Sequence, residues 1–417
     1  MSRLKEYFAY KKFADDQNRI LFLHKHYFLQ DAAVKCLKEM GHAVYQLQVA
    51  DEPKEMLESL LKSCVSFKPD AVMGMNHFGF DAEGSISALM NELKIPVIFW
   101  YLDDFRFIIQ EGKNLTLPNV LIFTFEKEDV SELSNLGFEH VDYLPTASAL
   151  SLNKNYKMHQ YSFLQDAVSY IGSSFEPTKK QWFRPGYADK SAGLEYNEFF
   201  GQERLSIVDF VLQKQSSLFA SKNELYHYAG YVSAQATQQY RLNILKSLEQ
   251  DSLHIFGDDK WNDFGLQAVI HPPVNNIDAA PSIFASSMIN LNISSCQLKT
   301  GVNLRLYDIP ASGGFLITDW KESIAELFDP EKETAAFKTA GELKDLISFY
   351  KNHPAEREKI TVAARARIAK EHLLPHRMQT ILKKAKTVLQ PNFYLFCLNA
   401  HHRKCMRAPS RNRFCHS

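Results

Sequence analysis

Residues 19–41, RILFLHKHYFLQDAAVKCLKEMG, decide the fold. Arg19 to Leu23 is an apolar run of strand length. Leu29, Ala32, Ala33, Cys36, Leu37 and Met40 then recur at helical spacing up to Gly41, a residue type that commonly ends helices. A strand apolar on both faces, followed at once by an amphipathic helix, is the unit from which parallel sheets are built. The unit repeats downstream. Val44 to Leu47 leads into a helix marked by Met56, Leu57, Leu60, Leu61, Cys64 and Val65, and Ala71 to Met75 leads into one marked by Ile86, Leu89, Met90 and Leu93. Strands at Val97 to Tyr101, Val120 to Thr124 and Val141 to Leu144, with a helix near Lys127 to Leu136, complete a doubly wound α/β domain over residues 1–147.

The pattern loosens across residues 148–166, a polar linker, and resumes at Val168-Ser169-Tyr170-Ile171-Gly172. A second domain over 167–375 is expected from strands at Leu253 to Phe256, Val269 to His271, Met288 to Ile293 and Phe315 to Thr318. Helices are expected near Asp278 to Ser286, Asn303 to Ala311, Glu342 to Lys351 and Ala355 to Lys370. Residues 175–248 read as a helical insertion in this domain, and shaping acceptor access is their expected role. A helix over 376–392 is placed to cross back to the first domain, and 393–417 reads as a basic tail whose cysteines and histidines do not match a zinc spacing.

A chain of 417 residues exceeds what one core usually organises, so two domains and a cleft between them are expected. Lys plus Arg and Asp plus Glu both number 48, a balance that argues against binding nucleic acid or anionic membrane through bulk charge. Any phosphate chemistry is then local. No run of 18 apolar residues and no secretory leader stands out, and Cys36, Cys64 and Cys296 fall at apolar positions, so a cytoplasmic protein without a transmembrane segment or disulfides is expected.

In doubly wound domains ligands sit beyond the carboxyl ends of the strands. There the second domain offers Lys299, Gly301, Asn303 and Arg305: a glycine for close approach, a helix start with unpaired amides, and two positive charges, a combination suited to a diphosphate. The alternative is an ordinary helix start with solvated basic residues. Asp308, one turn on, is placed to reach a ribose or sugar hydroxyl or else to pair with Arg305. Gly172 and Ser173, Gly257 and Asp258, and Gly313 are further loop positions assigned to the same donor site. In the first domain His26, His77 and Asp104 follow strands and are the candidate catalytic bases, with surface or satisfied histidines as the plainer reading.

The stretches Ile289 to Ile293, Thr300 to Asp319 and Glu326-Leu327-Phe328, with Pro354 to Glu358 and His376-Arg377, resemble the C-terminal domain of the spore-maturation-protein CgeB-like glycosyltransferases. Tyr27-Phe28, Gly41-His42, Ile95-Pro96-Val97, Trp100 and Asp103-Asp104 resemble its N-terminal half. The resemblance implies a GT-B fold, two Rossmann-like domains facing each other across a cleft. It also implies a hexosyltransferase-like enzyme with a nucleotide-sugar donor, by default a UDP-sugar, in the second domain and an acceptor in the first, with no cofactor and no metal. The acceptor could be a glycan, a protein or a small molecule. GT-B enzymes often carry glutamate where this chain has Asp308. That departure keeps open a non-catalytic nucleotide-sugar or glycan-binding protein and, third, a sugar-nucleotide epimerase.

Overall fold

The computed structural model describes residues 2–109, 115–196, 205–248, 252–275 and 277–389, and the expected tail lies outside them. Two six-stranded, all-parallel sheets form the frame. The first joins β1 (Arg19–His24), β2 (Ala43–Gln48), β3 (Ala71–Met75), β4 (Val97–Tyr101), β5 (Val120–Thr124) and β6 (His140–Tyr143) in the order β2-β1-β3-β4-β5-β6. Side-chain alternation explains why these runs are apolar throughout. Along β1, Ile20 and Phe22 enter one core while Leu21 and Leu23 enter the core on the opposite face.

The second sheet joins β7 (Val168–Ile171), β8 (Leu253–Phe256), β9 (Val269–His271), β10 (Ile289–Asn292), β11 (Leu316–Asp319) and β12 (Ala335–Phe337) in the order β12-β11-β10-β7-β8-β9. Strand order reverses between β1 and β3 in the first sheet and between β7 and β10 in the second. The two switch points are where crevices open for ligands.

The segment read as an insertion is in part the crossover that a parallel β7–β8 pair requires. Its helix Lys222–Lys246 is capped by the Ser221 side chain, which accepts from the Glu224 amide. Tyr228, Val232, Ala236 and Ile244 pack it on Val168, Tyr170 and Ile255 of the sheet. Shorter helices, Glu176–Trp182, Tyr187–Ser191 and Ile207–Gln215, lie around it.

The chain crosses between the sheets twice, and the crossings run side by side: the Ser148 amide donates to His372 O and the Leu374 amide to Ser148 O. The helix Leu374–Leu389 then buries Met378, Ile381, Leu382 and Ala385 against Ile20, Phe22, Met73 and Trp100 of the first sheet. Arg377 fastens its start by donating to the Pro145 and Thr146 carbonyls. Cys36, Cys64 and Cys296 are buried and none is in a disulfide. No described helix is long and apolar enough to cross a membrane.

Ile381 is fully buried in the first sheet's core although it comes from the end of the described chain. Ile381→Ala is expected to cost about 2–5 kcal/mol. In urea denaturation, the transition reporting the first domain should move to lower concentration.

Candidate functional site

At the second switch point the carboxyl ends of β7 and β10 are bridged by an arginine. Arg241, from the helix Lys222–Lys246, is buried, and its guanidinium donates to Ser173 O at 2.8 Å and Ile293 O at 3.2 Å. Its plane lies over Phe175, 4.6 Å from the ring centroid, and its Nε has no hydrogen-bond partner. Arg305 is half-buried, and its Nε is likewise buried without a partner. Between them stands Tyr170, fully buried, with an unpartnered hydroxyl and the Arg241 guanidinium 5.8 Å from its ring. Burial holds the Arg305 guanidinium below its ordinary range, and Arg241 adds to the effect against the pull of Tyr170 and Asp308. Two guanidinium groups and a phenol thus converge, and among the described residues no carboxylate is bonded to either arginine. Removing such charge from water without an anion is costly.

The turn at 299–303 has a different occupant. Glu126, buried after β5, accepts from the amides of Lys299 at 2.8 Å, Thr300 at 3.2 Å and Gly301 at 2.9 and 3.0 Å, and from the Thr300 hydroxyl at 2.7 Å. A Cβ at Gly301 would lie 2.9 Å from Phe125 O, so glycine is needed for the domains to meet this closely. Lys299 Nζ pairs with Glu128, and Lys127 pairs with Glu326 at 2.6 Å. Lys299 and Gly301, expected on the diphosphate, here join the two domains. Burial raises the Glu126 carboxyl above its usual range in spite of the bonds from Thr300 and Gly301 and the charge of Lys321.

The remaining donor-site expectations divide by position. Asn303 bonds Asn292 at 2.9 Å and accepts from the Arg305 amide, so it shapes the turn. Gly172 and Ser173 border the Arg241 crevice. Asp258 accepts from the hydroxyls of Ser173 and Ser174 and from the Ser174 amide, which leaves it tying β7 to β8. A side chain on Gly257 would strike Gly172 O and the Trp261 indole, whose N–H donates to that same carbonyl. Gly313 is placed elsewhere: it precedes β11 and borders a cavity with Ser286 and Arg357 at the amino ends of the strands.

Asp308 faces the linker rather than an open crevice. It is buried and accepts from the Ser148 hydroxyl at 2.5 Å. Burial pushes its carboxyl up to about 7, against the bond from Ser148 and the charge of Arg305.

The first switch point opens onto an interdomain cavity of about 650 Å³. Its polar end is formed by Tyr27, Asn76, His77 and Asp103 from the first domain and Gln297 from the second. Asp103 accepts from the Tyr27 hydroxyl, from Asn76 Nδ2 at 2.9 Å and from Gln297 Nε2 at 3.1 Å. His77 lies tilted against Phe99 with ring centroids 4.2 Å apart, and its Nδ1 is 3.1 Å from the Tyr101 hydroxyl. Its Nε2 is buried and unpartnered. Burial lowers the imidazole to about 3 against the pull of Asp81, so it is neutral at physiological pH.

His26 and Asp104 lie away from this end. His26 is exposed, in a left-handed turn, with its ring edge-on to His24. Asp104 caps the helix Phe105–Ile108 and binds Arg106 through both oxygens at 2.8 and 2.9 Å, which holds it in a buried ion pair outside the cavity. Adjacent carboxylates on extended chain point apart, and of the pair Asp103 is the one in the cavity. Among the described residues no group of three or more His, Cys, Asp or Glu side chains is placed to hold a metal ion.

Residues 239–383 match the family described as glycosyl transferase-like. No curated protein sequence matches the chain. Among solved structures it is similar to a sucrose-phosphate synthase from Thermosynechococcus elongatus, with 9% identity, 89% of this chain and 100% of that one covered, and a TM-score of 0.55. It is similar to Anabaena HepE in complex with UDP-glucose, with 11% identity, coverage of 89% and 100%, and a TM-score of 0.54. A glycosyltransferase from Rickettsia africae gives 9% identity, coverage of 91% and 100%, and a TM-score of 0.53. The fold is GT-B. At these identities the likeness is one of architecture.

The raised Asp308 carboxyl predicts a pH dependence. A folded-state value above the unfolded one stabilises the protein below about pH 4 and loses that contribution as pH rises through about 7. Asp308→Asn removes the dependence. Relative to the parent, the variant should gain stability on the order of 3 kcal/mol between pH 5 and pH 9 in denaturant titrations.

Proposed function

We propose that this protein is a glycosyltransferase that moves a sugar, by default a hexose, from a nucleoside diphosphate sugar to an acceptor hydroxyl. The observation that carries the reading is the convergence of Arg241, Arg305 and the Tyr170 hydroxyl at the β7–β10 switch point without a bonded carboxylate. A diphosphate supplies the missing anion beside the two guanidinium groups and accepts from half-buried Arg305. The match of residues 239–383 to glycosyl transferase-like sequences supports the same reading, as does the resemblance to the CgeB-like family. UDP is the first nucleotide to test, because HepE, a structural relative, is described in complex with UDP-glucose.

In the transfer, the bond between the donor's anomeric carbon and the diphosphate oxygen breaks and its electron pair leaves with the diphosphate. Arg241 and Arg305 stabilise the charge that develops there. The acceptor oxygen forms the new bond to the anomeric carbon. Its proton passes to Asp103, whose carboxylate stands at the polar end of the cavity beside the neutral His77 imidazole. Tyr27 and Asn76 orient the Asp103 carboxylate. Gln297 reaches Asp103 from the second domain, so the base is set only when the two domains are together. The side-by-side crossings at Ser148 and His372 to Leu374 are the hinge for that closure.

Arg241→Ala and Arg305→Ala should each weaken UDP binding at least tenfold in calorimetry. Asp103→Asn should leave UDP affinity within about threefold and cut turnover by roughly 10²–10⁴. Release of UDP from UDP-sugars with an acceptor panel reads that turnover. Wild-type protein with no affinity for any nucleoside diphosphate would overturn the assignment.

A further inference from the structure

The acceptor cavity has two chemically different ends. Among the described residues, the wall given by the first domain beyond Tyr27, Asn76, His77 and Asp103 is apolar: Phe78, Phe80, Phe107, Ile108, Ile109 and Leu115. The crossover segment supplies the facing wall with Phe175 and Trp182. The Trp182 ring is set against Phe107 with centroids 5.6 Å apart. Its seat is built into the fold, because Gly230 has no Cβ to strike the indole, which rests on the helix Lys222–Lys246 at that point. Among the described residues, Thr178, Gln181, Ser233 and Ser295 are the other polar groups on the wall, all from the second domain.

We propose that the acceptor is a small molecule with a flat, apolar, typically aromatic body bearing the reactive hydroxyl, rather than a sugar or an oligosaccharide. The proposal rests on the transferase reading above and names the substrate class of its acceptor site. The volume of about 650 Å³ is that of a pocket for one ligand of moderate size. A monosaccharide carries hydroxyls around its whole periphery. At this end Phe78, Phe80, Phe107, Ile108, Ile109 and Leu115 surround a ligand, and each peripheral hydroxyl that meets one of them loses water without gaining a partner, at about 1–3 kcal/mol. A single hydroxyl on an apolar body meets no such cost. It reaches Asp103 at the polar end while its rings fill the aromatic end between Phe107 and Trp182. Aromatic pairs of this kind contribute beyond the area they bury.

The test uses the full chain and 2-naphthol as probe, with glucose and maltose as comparators, in calorimetric titrations that need no donor turnover. The expected result is that 2-naphthol binds at least tenfold more tightly than either sugar. Trp182→Ala should weaken 2-naphthol at least tenfold, and Trp182→Phe should recover most of the loss. Glucose or maltose binding as tightly as 2-naphthol, or 2-naphthol affinity indifferent to Trp182→Ala, overturns the acceptor class. The wild-type comparison stands by itself if a variant does not fold. UDP titrated in parallel separates the two readings: UDP binding with sugar-selective acceptor binding defeats only this inference. Tight 2-naphthol binding without UDP binding supports the apolar ligand site and defeats the transferase reading.

Discussion

A guanidinium group withdrawn from water demands an anion, and in this protein two of them meet at the β7–β10 crevice without one bonded. Arg241 gives its terminal nitrogens to backbone carbonyls that belong to the two strands flanking the switch point. Those bonds hold the group in place without neutralising it. Arg305 enters from the helix that begins after the 299–303 turn, and each cation makes the other harder to bury. The functional account depends on this arrangement: a fixed, partly desolvated positive site at the carboxyl edge of a Rossmann-like sheet, beside a cleft whose far wall presents a carboxylate.

The same chain supplies its own anion to the turn that looked best suited to receive a foreign one. Glu126 fills the amides of Lys299 to Gly301, and the two basic pairs around it, Lys299–Glu128 and Lys127–Glu326, also cross the domain boundary. Those pairs are partly exposed, where ion pairs contribute little. The buried carboxylate with four donors is the stronger tie. Together with the Gln297–Asp103 bond, it couples the position of the loops that carry Glu126 and Asp103 to the position of the second domain.

Much of the frame was legible in sequence because parallel strands buried on both faces are apolar runs, and their boundaries in the first domain match the reading to within a residue or two. β12 was not read, since Ala335–Phe337 is three residues long with too little side chain to set a period. Sequence pattern does not separate the crossover helix Lys222–Lys246 from the rest of 175–248, although Ser221 and Glu224 mark its start, because fifteen of its residues are buried and the helix has no clear polar face. Arg241 went unseen for the same reason. An arginine within an otherwise buried helix was the available signal. Gly313 could have been excluded from sequence, since it precedes its strand and so lies at the wrong edge of the sheet. The choice between Asp103 and Asp104 required the parity of the chain after β4, and the occupant of the 299–301 amides required the other domain, which no local pattern encodes.

The most direct test is a crystal structure of the protein with UDP. The account predicts diphosphate oxygens within hydrogen-bonding distance of the Arg305 guanidinium, on the side of the crevice that faces Arg241, with Glu126 still seated on the Lys299 to Gly301 amides. A diphosphate on those amides with Glu126 displaced, or arginines left unpaired beside a nucleotide bound elsewhere, would contradict it.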